Sequence, residues 1–105
     1  MRRLSYLDEA RDDLREIAAY IATATGSRAV AQHFIATLRA KCRHIAELAG
    51  THGTDRSQLG AEIRSTPIGR YIILFRYTGD AVEIVNVLHA SRDVTTYYSE
   101  PETES

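Results

Sequence analysis

The sequence predicts an α+β domain in the order β-α-α-β-β-β, with an N-terminal strand and a helical hairpin packed on a mainly antiparallel sheet. Three observations predict it. Apolar residues recur at helical spacing through residues 10–49, interrupted only at "TATGS". After a glycine-rich loop the period shortens, and residues 61–89 read as β-rich runs cut by turn residues. A short apolar-alternating stretch precedes the first helix.

That opening stretch, "RRLSYL" (residues 2–7), is the first strand, with Leu4 and Tyr6 on one face. Asp8 is placed to cap the helix that follows, and Asp8, Glu9, Asp12 and Asp13 load its first turns with the negative charge the helix dipole favours. Ala10, Leu14, Ile17, Ala18 and Ile21 form its apolar stripe, and Gly26 suits a left-handed C-terminus. Ser27 is the expected N-cap of a second helix, striped by Ala31, Phe34, Leu38, Cys42, Ile45 and Ala49 and ending at Gly50. Val30, Ile35 and Leu48 widen that stripe to roughly 140°. A face that broad predicts contact with both the sheet and the first helix, and makes these three residues candidates for contact with a partner protein.

"GTHGTDRSQLG" (residues 50–60) has the composition of a loop without periodicity. Three strands follow: "AEIRST", a turn at "TPIG" with Pro67 in its second position, "RYIILFRYT", a tight turn at "TGDA", and "VEIVNVLH". Apolar residues on both sides of the last two strands predict cover on part of each face. Residues 1–98 form one domain, and the acidic "SEPETES" (residues 99–105) is expected to be a disordered tail.

The 105 residues are 44% hydrophobic and 26% charged, with a net charge of −1. That sum excludes the global basic field of a dedicated nucleic-acid binder, so direct nucleic-acid binding is not expected. Lys41 is the only lysine among the 13 basic residues, and Cys42 is the only cysteine, which rules out an intrachain disulfide. Cys42 lies in the apolar stripe and reads as packing. Charge interrupts the N-terminus before any signal-peptide core forms, and no stretch is long enough to span a bilayer, so the expected compartment is the cytoplasm. His33 and His44 are about three helical turns apart, too far to share an ion with each other. No metal and no cofactor is expected.

The closing stretch "VLHASRDVTTYY" (residues 87–98) concentrates the candidate chemistry. His89 can act as a general acid or base and Arg92 can hold a phosphate; Arg64, Arg76 and Tyr98 complete the set for a metal-independent ribonuclease. The alternative from the same residues is structural: Asp93 pairs with Arg92 or Arg64 at a strand end, and His89 satisfies a backbone group. A third use is contact with a target protein through His89, Arg92, Tyr97 and Tyr98, residue types common in binding hot spots.

"DLREIAAYI", "FIATLRAKCRHIAEL", "IRSTPIGRYIILFRY" and "VEIVNVLHASRD" together resemble the RelE/ParE superfamily of toxins from type II toxin–antitoxin systems, over residues 3 to 98 and most closely the ParE branch. "VLHASRD" is similar to the ParE-type close V-L-H-x-x-R-D. The resemblance implies a toxin that inhibits DNA gyrase by protein–protein contact and is neutralised by a ParD-like antitoxin. RelE-branch relatives are instead ribosome-dependent mRNA endoribonucleases, and Arg64, Arg76, Arg92 and Tyr98 match parts of that pattern. RelE-type toxins carry lysines and arginines around the sheet, whereas the one lysine here is in the second helix, and residues 61–93 hold four arginines against four acids. A further alternative is a toxin fold that persists as an inactive antitoxin-binding module. "AGTHGTD" stands where ParE relatives often carry Pro-x-x-Gly.

Overall fold

The computed structural model describes residues 2–48, 50–60 and 62–91. The elements are β1 (Arg3–Tyr6), α1 (Asp8–Thr25), α2 (Arg28–Glu47), β2 (Thr54–Asp55), β3 (Arg64–Ile68), β4 (Tyr71–Thr78) and β5 (Ala81–His89), with a 3₁₀ turn at Ser57–Leu59 between β2 and β3. The sheet order is β1-β5-β4-β3-β2. The last strand is thus central, between the first strand and β4. β1 runs parallel to β5 while the other three pairings are antiparallel, so the sheet is mixed and mainly antiparallel.

Both helices lie on one face. Leu14 and Ile17 of α1 and Leu38, Cys42 and Ile45 of α2 pack on Ile73, Phe75, Val82, Ile84 and Val87. The opposite face carries a smaller cluster of Ile63, Leu74 and Leu88, with Leu59 packed against it from the 3₁₀ turn. The doubly apolar strands match this two-sided cover.

Local signals held at several places. The Ser27 hydroxyl accepts from Val30 N–H at 3.1 Å as an N-cap. Gly26 ends α1 at φ 70°. Others did not. Asp8 does not cap α1; it lies inside the first turn, and Leu7 is the N-cap residue without a side-chain bond. The chain arrives from β1 with Leu7 N–H still bonded to Ile84 C=O at 2.9 Å, so the sheet sets where the helix begins. α2 stops at Glu47, short of Gly50. The loop after it contains β2, which pairs with β3 through only Thr54–Ser65 and Asp55–Arg64.

The "TPIG" turn is also displaced. Pro67 sits within β3 opposite Ile72, and the turn falls two residues later at Gly69-Arg70. β2 covers β3 only as far as Ser65, so among the described residues Pro67 is on an open edge. Counting from the Ile68–Tyr71 pair that closes the two-residue loop, Pro67 is at a non-hydrogen-bonded position, where a missing N–H costs the ladder nothing. Gly69 and Gly79 take φ 57° and 59° at the first central position of their hairpins, where a side chain would strain the backbone.

β5 outruns β1. β1 covers Ala81 to Ile84, and the second half of β5 has no strand on that side among the described residues. The register shifts there as well: Leu74 faces Asn86 but Phe75 faces Ile84, leaving Val85 as the extra residue of a bulge. α1 closes the gap. One carboxylate oxygen of Asp13 accepts from Val87 N–H at 2.9 Å and from the Asn86 amide at 3.0 Å. Asn86 is 1% exposed. Asp13→Ala should therefore strand a backbone donor and remove an anchor, lowering stability by about 2–3 kcal/mol. A urea titration checks this; an unchanged midpoint would show that the edge bond carries no weight.

Candidate functional site

Where α1 bridges to β5, a cleft of about 600 Å³ opens between the helix and the sheet end. Asp13, Glu16 and Tyr20 supply the helix side, at the i, i+3, i+7 spacing that keeps them on one face. Tyr71 opens β4 directly opposite His89 at the close of β5, and Ser91 follows. Ile17 and Val87 link the cleft to the main core. No arginine or lysine lines it among the described residues.

Tyr71 is held between two rings, Phe34 at 5.4 Å and His89 at 5.2 Å, the latter edge-on. It is 9% exposed. Burial, and Tyr20 beside it, push its phenol above the ordinary tyrosine value. Tyr20 is by contrast 64% exposed. The Ser91 N–H donates to His89 Nδ1 at 3.1 Å, and Ser91 Oγ lies 2.7 Å from the same nitrogen. An Nδ1 that accepts a backbone N–H leaves the proton of neutral imidazole on Nε2. His89 therefore offers its free edge as a hydrogen-bond donor, not as a base.

The arginines proposed to meet His89 do not. Arg64 faces Phe75, and Arg76 comes next along β4 on the opposite side of the sheet. Counted along β4 from Tyr71, these positions are about 13 and 17 Å away. Both guanidiniums are engaged. Arg64 donates to the carbonyls of His52 and Gly53 at 2.7 and 2.8 Å. Arg76 pairs with Glu83 across the strands at 2.8 Å. Arg92, Asp93, Tyr97 and Tyr98 lie outside the described residues.

The three partner-contact candidates on α2 are spread out. Val30 is 48% exposed at the helix start, Ile35 packs against the core, and Leu48 is the C-cap residue. Val30 and Leu48 are about 27 Å apart along the helix. A separate basic region surrounds His52, where desolvation and the charges of Lys41, His44 and Arg64 hold the imidazole below its usual value. Arg2 stacks on Tyr77 at 4.4 Å nearby, and the Tyr77 hydroxyl accepts from His52 N–H at 2.8 Å. No group of three or more His, Cys, Asp or Glu among the described residues is placed to hold a metal ion. Among them, too, no helix is long and apolar enough to cross a membrane.

Asp13, Asn86, Tyr20 and Tyr71 are site residues that motif reading missed. The helical spacing of Asp13, Glu16 and Tyr20 could have pointed to the two helix residues, and nothing in the local sequence points to Asn86 or Tyr71. The acidic start of α1 read as solvated, yet Asp13 turns inward to the sheet edge.

Cys42 is fully enclosed, and burial pushes its thiol up to about 11. At pH 8 its thiolate fraction is about two orders of magnitude below that of a free cysteine. A disulfide reagent at that pH should label the native protein far more slowly than the urea-unfolded chain; equal rates would mean that Cys42 is accessible.

A family model described as the ParE toxin of the type II toxin–antitoxin system parDE matches residues 4–94. No curated protein matches the chain. Among solved structures, a chain of the chromosomal ParDE toxin–antitoxin system from P. aeruginosa is similar in fold, with a TM-score of 0.73 at 16% identity. That likeness covers 85% of this chain and 96% of the other.

Proposed function

The chain belongs to the ParE toxin family of type II toxin–antitoxin systems, and from that premise we propose that it inhibits DNA gyrase by protein–protein contact and is neutralised by a ParD-like antitoxin. The observation that favours contact over RNA cleavage is the dispersal of the catalytic candidates. Arg64 and Arg76 lie on opposite sides of the sheet, each already bonded, and neither neighbours His89. Cleavage needs a base on the 2′-hydroxyl and cations on the phosphorane. The neutral tautomer that fits the Ser91 N–H carries its proton on the free nitrogen of His89, and the space beside it is lined by Asp13 and Glu16, which repel phosphate. The same features suit a protein target, for which a donor imidazole and an exposed tyrosine are contact groups.

In this reading the target surface is the end of β5, with His89 and the segment carrying Arg92, Tyr97 and Tyr98. The antitoxin engages the helical hairpin at its Val30 end, where apolar surface is exposed. Gyrase as target places the protein in the cytoplasm.

The test is expression without antitoxin, followed by separate readouts of plasmid supercoiling and of transcript cleavage. Supercoiling should fall while transcripts stay intact, and co-expressed antitoxin should restore growth. His89→Ala should weaken inhibition by lost contact alone, with no new pH dependence, as should truncation before Tyr97. Transcript cleavage, with a loss on the order of 10²–10⁴ in rate for His89→Ala, would establish a general acid–base role and the endoribonuclease alternative.

A further inference from the structure

We propose that the cleft between α1 and the ends of β4 and β5 receives one arginine side chain presented by a partner protein. The first reason is an unmet hydroxyl. Tyr71 is 9% exposed and forms one wall of the cleft, yet its phenol has no hydrogen-bond partner among the described residues. That hydroxyl stands on the wall of the cleft, so a group that enters can bond to it as donor or acceptor.

The second reason is unmet charge. Glu16 joins no ion pair among the described residues, and its neighbour Arg15 is committed to Asp12 at 2.6 Å. Both hydrogen bonds to Asp13 fall on Oδ2, which leaves Oδ1 as an acceptor. The cleft thus holds two carboxylates and no compensating cation among the residues described.

The third reason selects the cation. Aromatic groups flank the carboxylates: Tyr20, the most exposed large hydrophobic side chain among the described residues, and Tyr71, close enough to Tyr20 for the two phenols to influence each other. A guanidinium is planar and weakly hydrated. Its faces stack on aromatic rings and its edges donate to carboxylate and phenol oxygens together. An ammonium offers a hydrated point charge and no stacking face, and a phosphate-bearing ligand meets the wrong sign. Charge complementarity therefore commits the cleft to an arginine on a polypeptide, whichever partner supplies it, and the proposal stands apart from gyrase as target.

The probe is Nα-acetyl-arginine amide titrated into the purified full chain, with NMR signals of the Tyr20, Tyr71 and His89 rings as readout. Saturable shifts in the millimolar range are expected for so small a ligand. The neutral isostere Nα-acetyl-citrulline amide should bind at least about tenfold more weakly, and the lysine amide more weakly than arginine. Glu16→Gln, on an exposed helical position, and Tyr71→Phe, which keeps the ring, should each reduce affinity while thermal melting confirms a folded chain. Absence of saturable shifts, equal binding of arginine and citrulline, or full displacement by an equal concentration of spermidine would overturn the proposal.

Discussion

The Asp13 carboxylate stands in for a missing strand. β1 is four residues long and β5 nine, so half of the sheet's parallel edge has no strand to bond to among the described residues. Open N–H groups on an edge invite other chains. The chain solves this by turning into α1 directly after β1 and bringing a carboxylate back to Val87 in the helix's second turn. One charged acceptor meets the Val87 N–H on that edge and ties the helix to the sheet. The cleft exists because a helix bonded there through a side chain stands further from β5 than a strand would.

The bulge at Val85 belongs to the same device. An extra residue in β5 changes which groups meet α1, so that Asn86 can bond the carboxylate that also takes Val87 N–H. Upstream of the bulge, Ile84 and Val82 pack in the main core; downstream, His89 comes opposite Tyr71. The bulge therefore shifts the register between the half of β5 that pairs with β1 and the half that reaches the cleft, with Val87 serving both core and cleft. Such sites are where a sheet re-aims side chains.

Sequence periodicity carried the element order, the helical hairpin, the Ser27 cap and the 78–81 turn, because each rests on local chemistry. Pro67 shows where that reasoning fails. Proline at a turn's second position is a sound local expectation, but it is equally compatible with an open strand edge, and only the shortness of β2 decides. Asp8 fails in a similar way, since the bond from Leu7 to β5 sets the helix start. The site was less legible. His89 could be picked out as a polar group ending an apolar strand, but its proton position depends on Ser91. Arg64 and Arg76 looked convergent because sequence reading does not reveal which side of a bulged sheet each residue faces. The value of Asp13 was hidden by its acidic neighbours, which share its composition but not its partners.

A net charge of −1 also hid a segregation. At the Tyr71 end of β4 the cleft gathers Asp13 and Glu16 without a cation among the described residues. At the other end Arg2 stacks on Tyr77, and desolvation, together with the charges of Lys41, His44 and Arg64, disfavours protonation of His52. The two regions are separated by most of the strand, about 20 Å, which exceeds the Debye length at physiological salt. A partner therefore meets the two ends as distinct surfaces. The sum over the chain correctly excluded a global basic field, yet it carries no information about orientation. For a small protein that works by contact, the distribution sets which face a partner approaches, because opposite charge steers the encounter and like charge rejects the wrong one.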